Sequence, residues 1–276
     1  MKFRTISILF ALAVLAVSCR DSERNNEDQT TSSYEFARAE NAFFDVWKTV
    51  HSTILKDTVL GGADTTLPPD VCVDSIRRYP DVGYPAQLVI YFSPKGSVCS
   101  DGRTRAGNIV ANISRPYMDV NSLVTITFDD YFSDDLELTG EMMIHNFGDS
   151  ALLPVFRKTI TDAWLVREAP GNKRQETYFN SQESVVWGEG ADTPNEPEDD
   201  ELRAYGFASG RNTFGVFFEA TITDQITTRL NCLYDNTGKV TIEQENLADR
   251  YLDYESGCDG KLSVSFYNTT EYITIP

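Results

Sequence analysis

Between residues 34 and 56, apolar side chains recur at steps of three, four and seven, at Phe36, Phe43, Trp47, Val50 and Ile54. That period puts them on one face of an α-helix. Ser32 and Glu35 stand three apart ahead of it as a capping box. From Val71 onward the period changes to two, in short β-branched and aromatic runs broken by Gly, Asn, Asp and Pro. The runs predict strands near 87–92, 108–113, 123–128, 136–145, 155–165, 182–187, 202–208, 214–222, 226–233, 240–243, 261–266 and 272–275. Lys95-Gly96, Asp101-Gly102, Pro170-Gly171, Ser209-Gly210, Asn236-Thr237-Gly238 and Asp259-Gly260 supply turns. A dozen strands with short connections predict a mainly β protein, an antiparallel meander forming a curved sheet or a sandwich. The amphipathic N-terminal helix 34–56 is expected to pack on it. One domain over 34–276 is expected, with a seam near 171–200 if it is built from two β halves.

The first residues change the picture of where this domain works. Lys2 and Arg4 precede an uninterrupted run from Ile6 to Val17, and then come Ser18 and Cys19. As a helix the run is about 18 Å long, against roughly 30 Å of hydrocarbon, so residues 1–18 read as a cleavable export signal and not a membrane span. Leu15-Ala16-Val17-Ser18-Cys19 is similar to a bacterial lipobox, with its leucine one place early. It predicts lipid, palmitate included, on Cys19; cleavage near Ser18 without a lipid is the rival reading. Residues 19–33 contain no large apolar side chain beyond the cysteine and are expected to be a flexible acidic tether. Asp21, Glu23, Glu27 and Asp28 resemble the surface-export signal of Bacteroidota lipoproteins. The expected location is the outer membrane, facing the cell surface or otherwise the periplasm.

The chain has 24 basic and 42 acidic residues, net charge -18. Such a field repels phosphate backbones, so nucleic acid is excluded as a partner. After Cys19 four cysteines remain, Cys72, Cys99, Cys232 and Cys258. Of three possible connectivities, Cys72 with Cys99 and Cys232 with Cys258 is favoured, since each separation is about two strands and their turns. A zinc site is the rival, but there is no Cys-x-x-Cys and only His51 and His145 could assist.

No nucleophile elbow, zincin helix, phosphate loop or dinucleotide glycine pattern is present, so no catalytic residue and no cofactor is assigned. The enzyme option that survives is a carboxylate-dependent glycan hydrolase using pairs such as Asp129/Asp130, Asp134/Asp135 or Asp253/Glu255. The same acids, and Asp199-Asp200-Glu201, could hold a structural calcium. Four Asp-Ser/Thr steps resemble an O-glycosylation sequon of exported Bacteroidota proteins and mark Thr58, Thr65, Ser75 and Ser150. Tyr131, Phe132, Trp164, Tyr178, Phe179, Trp187, Tyr251 and Tyr254 are rings that could stack on a ligand or fill the core.

Cys99-Ser100-Asp101-Gly102-Arg103-Thr104-Arg105-Ala106-Gly107, then Val124-Thr125-Ile126-Thr127-Phe128-Asp129, and the closing Leu252-Asp253-Tyr254-Glu255-Ser256-Gly257-Cys258-Asp259 resemble a family of uncharacterised Bacteroidota lipoproteins. The resemblance covers most of the mature chain and implies location, β architecture and paired cysteines. It departs at Glu255 and Ser256, where the family commonly has glycine and aspartate, and so gives no support to a metal loop there. The expected function is a non-catalytic binding or scaffold module, anchored through Cys19, for a glycan, peptide or lipid ligand. Two alternatives are a periplasmic carrier of lipid or lipoprotein and the glycan hydrolase. A dry apolar cavity under the helix would favour the carrier, and clustered acids in a cleft the hydrolase.

Overall fold

Alternation of apolar and polar residues organises almost the whole chain. The computed structural model describes residues 30–276 apart from 61–68, 151–152, 170, 172, 194–195, 235–236 and 246, and the side chains of 149, 150, 169 and 197. Residues 1–18, expected to be an export signal, and Cys19, Thr65 and the side chain of Ser150 lie outside that description.

Among the described residues fourteen strands follow one helix: β1 Val73–Tyr79, β2 Ala86–Phe92, β3 Ser97–Val98, β4 Thr104–Ile113, β5 Leu123–Ser133, β6 Leu136–Ser150, β7 Leu153–Ala169 and β8 Lys173–Glu189 form the first part. The second part is β9 Glu201–Arg211, β10 Phe217–Arg229, β11 Thr237–Gln244, β12 Arg250–Tyr254, β13 Lys261–Phe266 and β14 Thr269–Thr274. All pairings are antiparallel, and strands pair in chain order from β1 to β14, except that the two-residue β3 is a side branch on β4. The result is one curved, unclosed sheet. In the region of 171–200, β7 pairs with β8 and β8 with β9.

Curvature comes from a series of bulges. Register shifts fall at Ala106/Asn108 between β4 and β5, at Thr139/Glu141 between β6 and β7, and at Ile160/Ala163 between β7 and β8. Gly107 and Gly140 sit at the first two, at φ of +78° and +100°. A Cβ on Gly107 would stand 1.9 Å from the Asp130 carbonyl oxygen, and one on Gly140 2.6 Å from the Ala163 Cα. Only glycine fits so close a backbone approach, and a bulge increases local twist and bends the strand.

Inside the curve runs α1, Thr31–Leu55. The sequence predicts one buried face; instead 19 of its 25 residues are buried, including Ser32, Glu35, Arg38, Glu40, Asn41 and Asp45. Phe36 and Phe43 pack on Phe179, and Trp47 on Phe156. The helix packs on the curved sheet as expected, and it forms the centre of the core. The capping box is also replaced. Thr30 is the N-cap, without a side-chain cap bond, and Ser32 lies within the helix. Its hydroxyl accepts from Asn212 and Gln244 at 3.0 and 2.7 Å, while Glu35 accepts from the Thr213 backbone N–H at 2.9 Å and from the Thr177 hydroxyl at 2.7 Å. Tertiary donors have taken the place of the local ones.

Three sequence expectations need correction at the level of elements. Ser209-Gly210 lies inside β9, because the Phe218 ring occupies the space where a Cβ would be; the turn is at Asn212 to Gly215, closed by a 2.8 Å backbone bond. Runs 214–222 and 226–233 are largely one strand, β10, interrupted by a bulge between Thr221 and Ile226. The Leu252-Asp253-Tyr254 segment, absent from the predicted strands, belongs to β12.

The cysteines meet as Cys72 with Cys99 and Cys232 with Cys258, at Cα separations of 4.6 and 5.3 Å. Each bond closes a loop of under 30 residues, and removing one should cost about 3 kcal/mol. Urea unfolding of a Cys72→Ser/Cys99→Ser protein is expected to show that loss with a somewhat steeper slope, because the released unfolded chain expands. An unaltered midpoint would mean the bond constrains nothing in the unfolded chain.

Candidate functional site

Where the sheet fails to close over the helix, a cleft of about 780 Å³ remains. Its floor is the last turns of α1, with Lys48, Thr49, Ser52, Thr53 and Lys56. One wall is the edge strand β1, through Val73, Ile76 and Arg78, and the other is Glu198 with Leu230 and Asn231 after β10. Cys72, Phe92, Ser100, Asp101 and Arg105 close one end. The volume is that of a small-ligand site.

Most charges in the cleft are already engaged. Arg105 donates to Asp45 and Asp101, each at 2.6 Å, and these carboxylates keep it charged although burial opposes the cation. Arg78 pairs with Asp57 at 2.6 Å, and Lys56 with Glu198 at 2.6 Å. Asp70 accepts from the Ser100 N–H at 3.1 Å and the Cys72 N–H at 3.2 Å, and also from the Ser100 hydroxyl. Burial pushes the Asp70, Asp101 and Glu198 carboxyls upward, but Ser100, Arg105 and Lys56 respectively outweigh it and hold each below the usual range. Lys48 differs from the other cations. Its ammonium donates to the Cys232 carbonyl at 2.9 Å, and burial pulls its pKa down against the pull of Asp45 and Asp101.

Asp70, Cys72 and Cys99 form the one compact grouping of potential metal-ligand atoms among the described residues. The two sulfurs are bonded to each other, so the grouping is a clasp that ties β1 to the turn before β4. Thiolates, not disulfide sulfurs, ligate zinc.

Two further polar clusters lie in the interior. His51 Nδ1 is 2.8 Å from the Tyr117 hydroxyl and its Nε2 is 3.1 Å from Asp200. Trp47 donates to Tyr117 at 3.2 Å and Trp187 to Asp200 at 2.9 Å. A proton on Nε2 gives every atom a partner: His51 donates to Asp200, and Tyr117 donates to Nδ1 while accepting from Trp47. His51 and Asp200 are both wholly buried, so this run of hydrogen bonds ties α1 to the connections before β5 and β9. The second cluster is Lys158, fully buried on β7 between Glu40 of α1 and Glu183 of β8, the latter at 2.9 Å.

The acids singled out from the sequence are scattered. Asp129 accepts from Asn108 at 2.7 Å, Asp134 caps the Thr104 N–H at 2.9 Å, Asp135 pairs with Arg38, and Asp253 with Lys239 at 3.0 Å. Asp130 takes the left-handed conformation at the Gly107 bulge. Glu201 joins Arg203 and Arg229, leaving Asp199-Asp200-Glu201 pointed at three different neighbours. None of these pairs reaches the cleft. Of the eight rings, Tyr131, Phe179, Trp187 and Tyr254 are core, whereas Trp164, Phe132 and Tyr251 are exposed and Tyr178 is half-buried. His145 is half-buried beside Phe147, remote in sequence and contact from His51. Thr58 is exposed and Ser75 is half-buried on β1.

The cleft itself was not legible in the sequence. Its residues come from six separate segments, and Lys48, Ser52 and Thr53 read only as the polar face of a helix. Compared with known proteins, the chain matches no family model, no curated protein and no solved structure.

Proposed function

We propose that this chain is a lipid-anchored outer-membrane protein, surface-facing, that binds a ligand in the cleft beside β1 without transforming it. The observation that carries this reading is the distribution of space: α1 fills the inside of the curved sheet with Phe36, Phe43 and Trp47, while the opening lies at the seam over the polar end of the helix. A lipid carrier needs an apolar hollow where the helix now sits. A hydrolase needs an acid held protonated at the cleft, and Asp70, Asp101 and Glu198 are all shifted the other way.

Two measurements test it. Protease shaving of intact cells carrying radiolabelled fatty acid should remove the labelled protein while a periplasmic control survives; protection until the outer membrane is opened would overturn the surface location. Native mass spectrometry of the protein extracted in mild detergent should show a non-covalent adduct that Thr53→Trp, which fills the cleft, abolishes. Identical adducts in both proteins would place the ligand elsewhere.

A further inference from the structure

Resting on the cleft as a binding site, we propose that its ligand is an extended polypeptide segment that joins the sheet as an additional strand along the outer edge of β1, with a carboxylate side chain set over Lys48. Among the described strands β1 pairs on one side alone, with β2, so the ladder groups of its other edge have no strand partner. Such an edge is a template for another chain. The seven residues of β1 span about 23 Å, and Val73, Ile76 and Arg78 from it line the cleft. A strand added there lies over the helix, with alternate side chains directed down into the cleft.

The opposite edge provides the contrast. β14 also has one partner, β13, but it stands exposed along nearly its whole length. It offers backbone bonds without side-chain pockets. Beside β1, alternate side chains of an incoming strand meet an apolar surface at Phe92 and Leu230, hydroxyls at Ser52 and Thr53, and an ammonium at Lys48. Lys56, Arg78 and Arg105 each have a carboxylate in hydrogen-bond range, whereas the hydrogen bond of Lys48 goes to a carbonyl. A carboxylate on the ligand completes that set.

The test uses the full lipid-anchored protein in detergent micelles, panned against a displayed library of random twelve-residue peptides. Selected peptides, synthesised and titrated by fluorescence anisotropy, are expected to bind in the micromolar range, on the order of 8 kcal/mol, and to lose binding to Thr53→Trp. N-methylation of single backbone amides should weaken binding about tenfold at every second residue, the loss of one ladder bond with its desolvation cost. Lys48→Met should remove the preference for a peptide carrying Glu over the same peptide carrying Gln. Uniform tolerance of N-methylation, binding that survives Thr53→Trp, or failure to select any peptide would overturn the strand-addition proposal. A non-peptidic adduct that Thr53→Trp still abolishes would leave the cleft as a binding site while removing the peptide; loss of both would remove the two readings together.

Discussion

A chain that begins at Asp57, lacking Thr31–Leu55, is expected to show no cooperative thermal transition. The helix supplies Phe36, Phe43, Trp47, Val50 and Ile54 to the core, all 0–1% exposed. Burial of five such side chains contributes on the order of 10 kcal/mol, as much as the whole net stability of an ordinary domain. Its removal also strips partners from Lys158 and Arg105, buried on β7 and β4, and from Tyr117, buried in the turn between β4 and β5. Circular dichroism of the shortened chain should report strand content without a sigmoidal melt, and a synthetic 31–55 peptide added in trans should restore one. A sharp transition in the shortened chain by itself would show that the sheet has an independent core.

The second large effect concerns Lys158. Replacing it by Met leaves Glu40 and Glu183 facing each other without a cation, and breaking a buried pair in this way costs about 3 to 5 kcal/mol. Urea denaturation at neutral pH reads the loss. Replacing all three, as Lys158→Met/Glu40→Leu/Glu183→Leu, should recover most of it, because well-packed apolar side chains avoid the desolvation that the ions suffer. A triple variant no more stable than the single one would refute this account of the cluster.

The same cluster sets a pH dependence. Burial, and then the nearby Glu40, push Glu183 up to about 8, with Lys158 working in the opposite direction. Lys158 itself is held high, since its two carboxylates outweigh burial, and it stays charged throughout. Glu183 thus keeps a proton in the folded protein that the unfolded chain releases near the ordinary carboxyl value of 4.5. Its contribution to stability is fully present below that value and is lost as pH rises through about 8. Glu183→Gln should flatten the decline between about 4.5 and 8; an unchanged pH profile would locate the titration elsewhere.

How far the sequence revealed these features depends on the distance over which each is decided. Strands such as β2, β4, β5 and β13 were legible because one face is buried and the other wet, so the period of two survives in the residues themselves. β1 was missed because Arg77, Arg78 and the following Tyr-Pro blur its alternation at an edge. The helix was found but its burial was not, since Glu35, Arg38, Glu40, Asn41 and Asp45 look like a solvated face until their partners, 60 to nearly 200 residues away, are in place. A signal for those partners did exist. Lys158 falls in phase with Phe156 and Ile160, Glu183 with Val185 and Trp187, and Arg105 with Ile109 and Ala111, all on the buried parity of their strands. A charge on that parity announces a buried counter-charge, though not which one.

The burial of α1 from its first turn also bears on the posture of the molecule if it is anchored as proposed. Ser32 is already held inside the sheet by Asn212 and Gln244, so in the proposed anchored protein the short acidic stretch after Cys19 ends at a fixed point and not on a wandering helix. At 1.5 Å per residue the helix is about 38 Å long, and the cleft opens over its far end, from Lys48 onward. In that proposed arrangement the helix would serve as a mast: with its foot toward the lipid, the β1 edge proposed to bind would be lifted clear of the head groups.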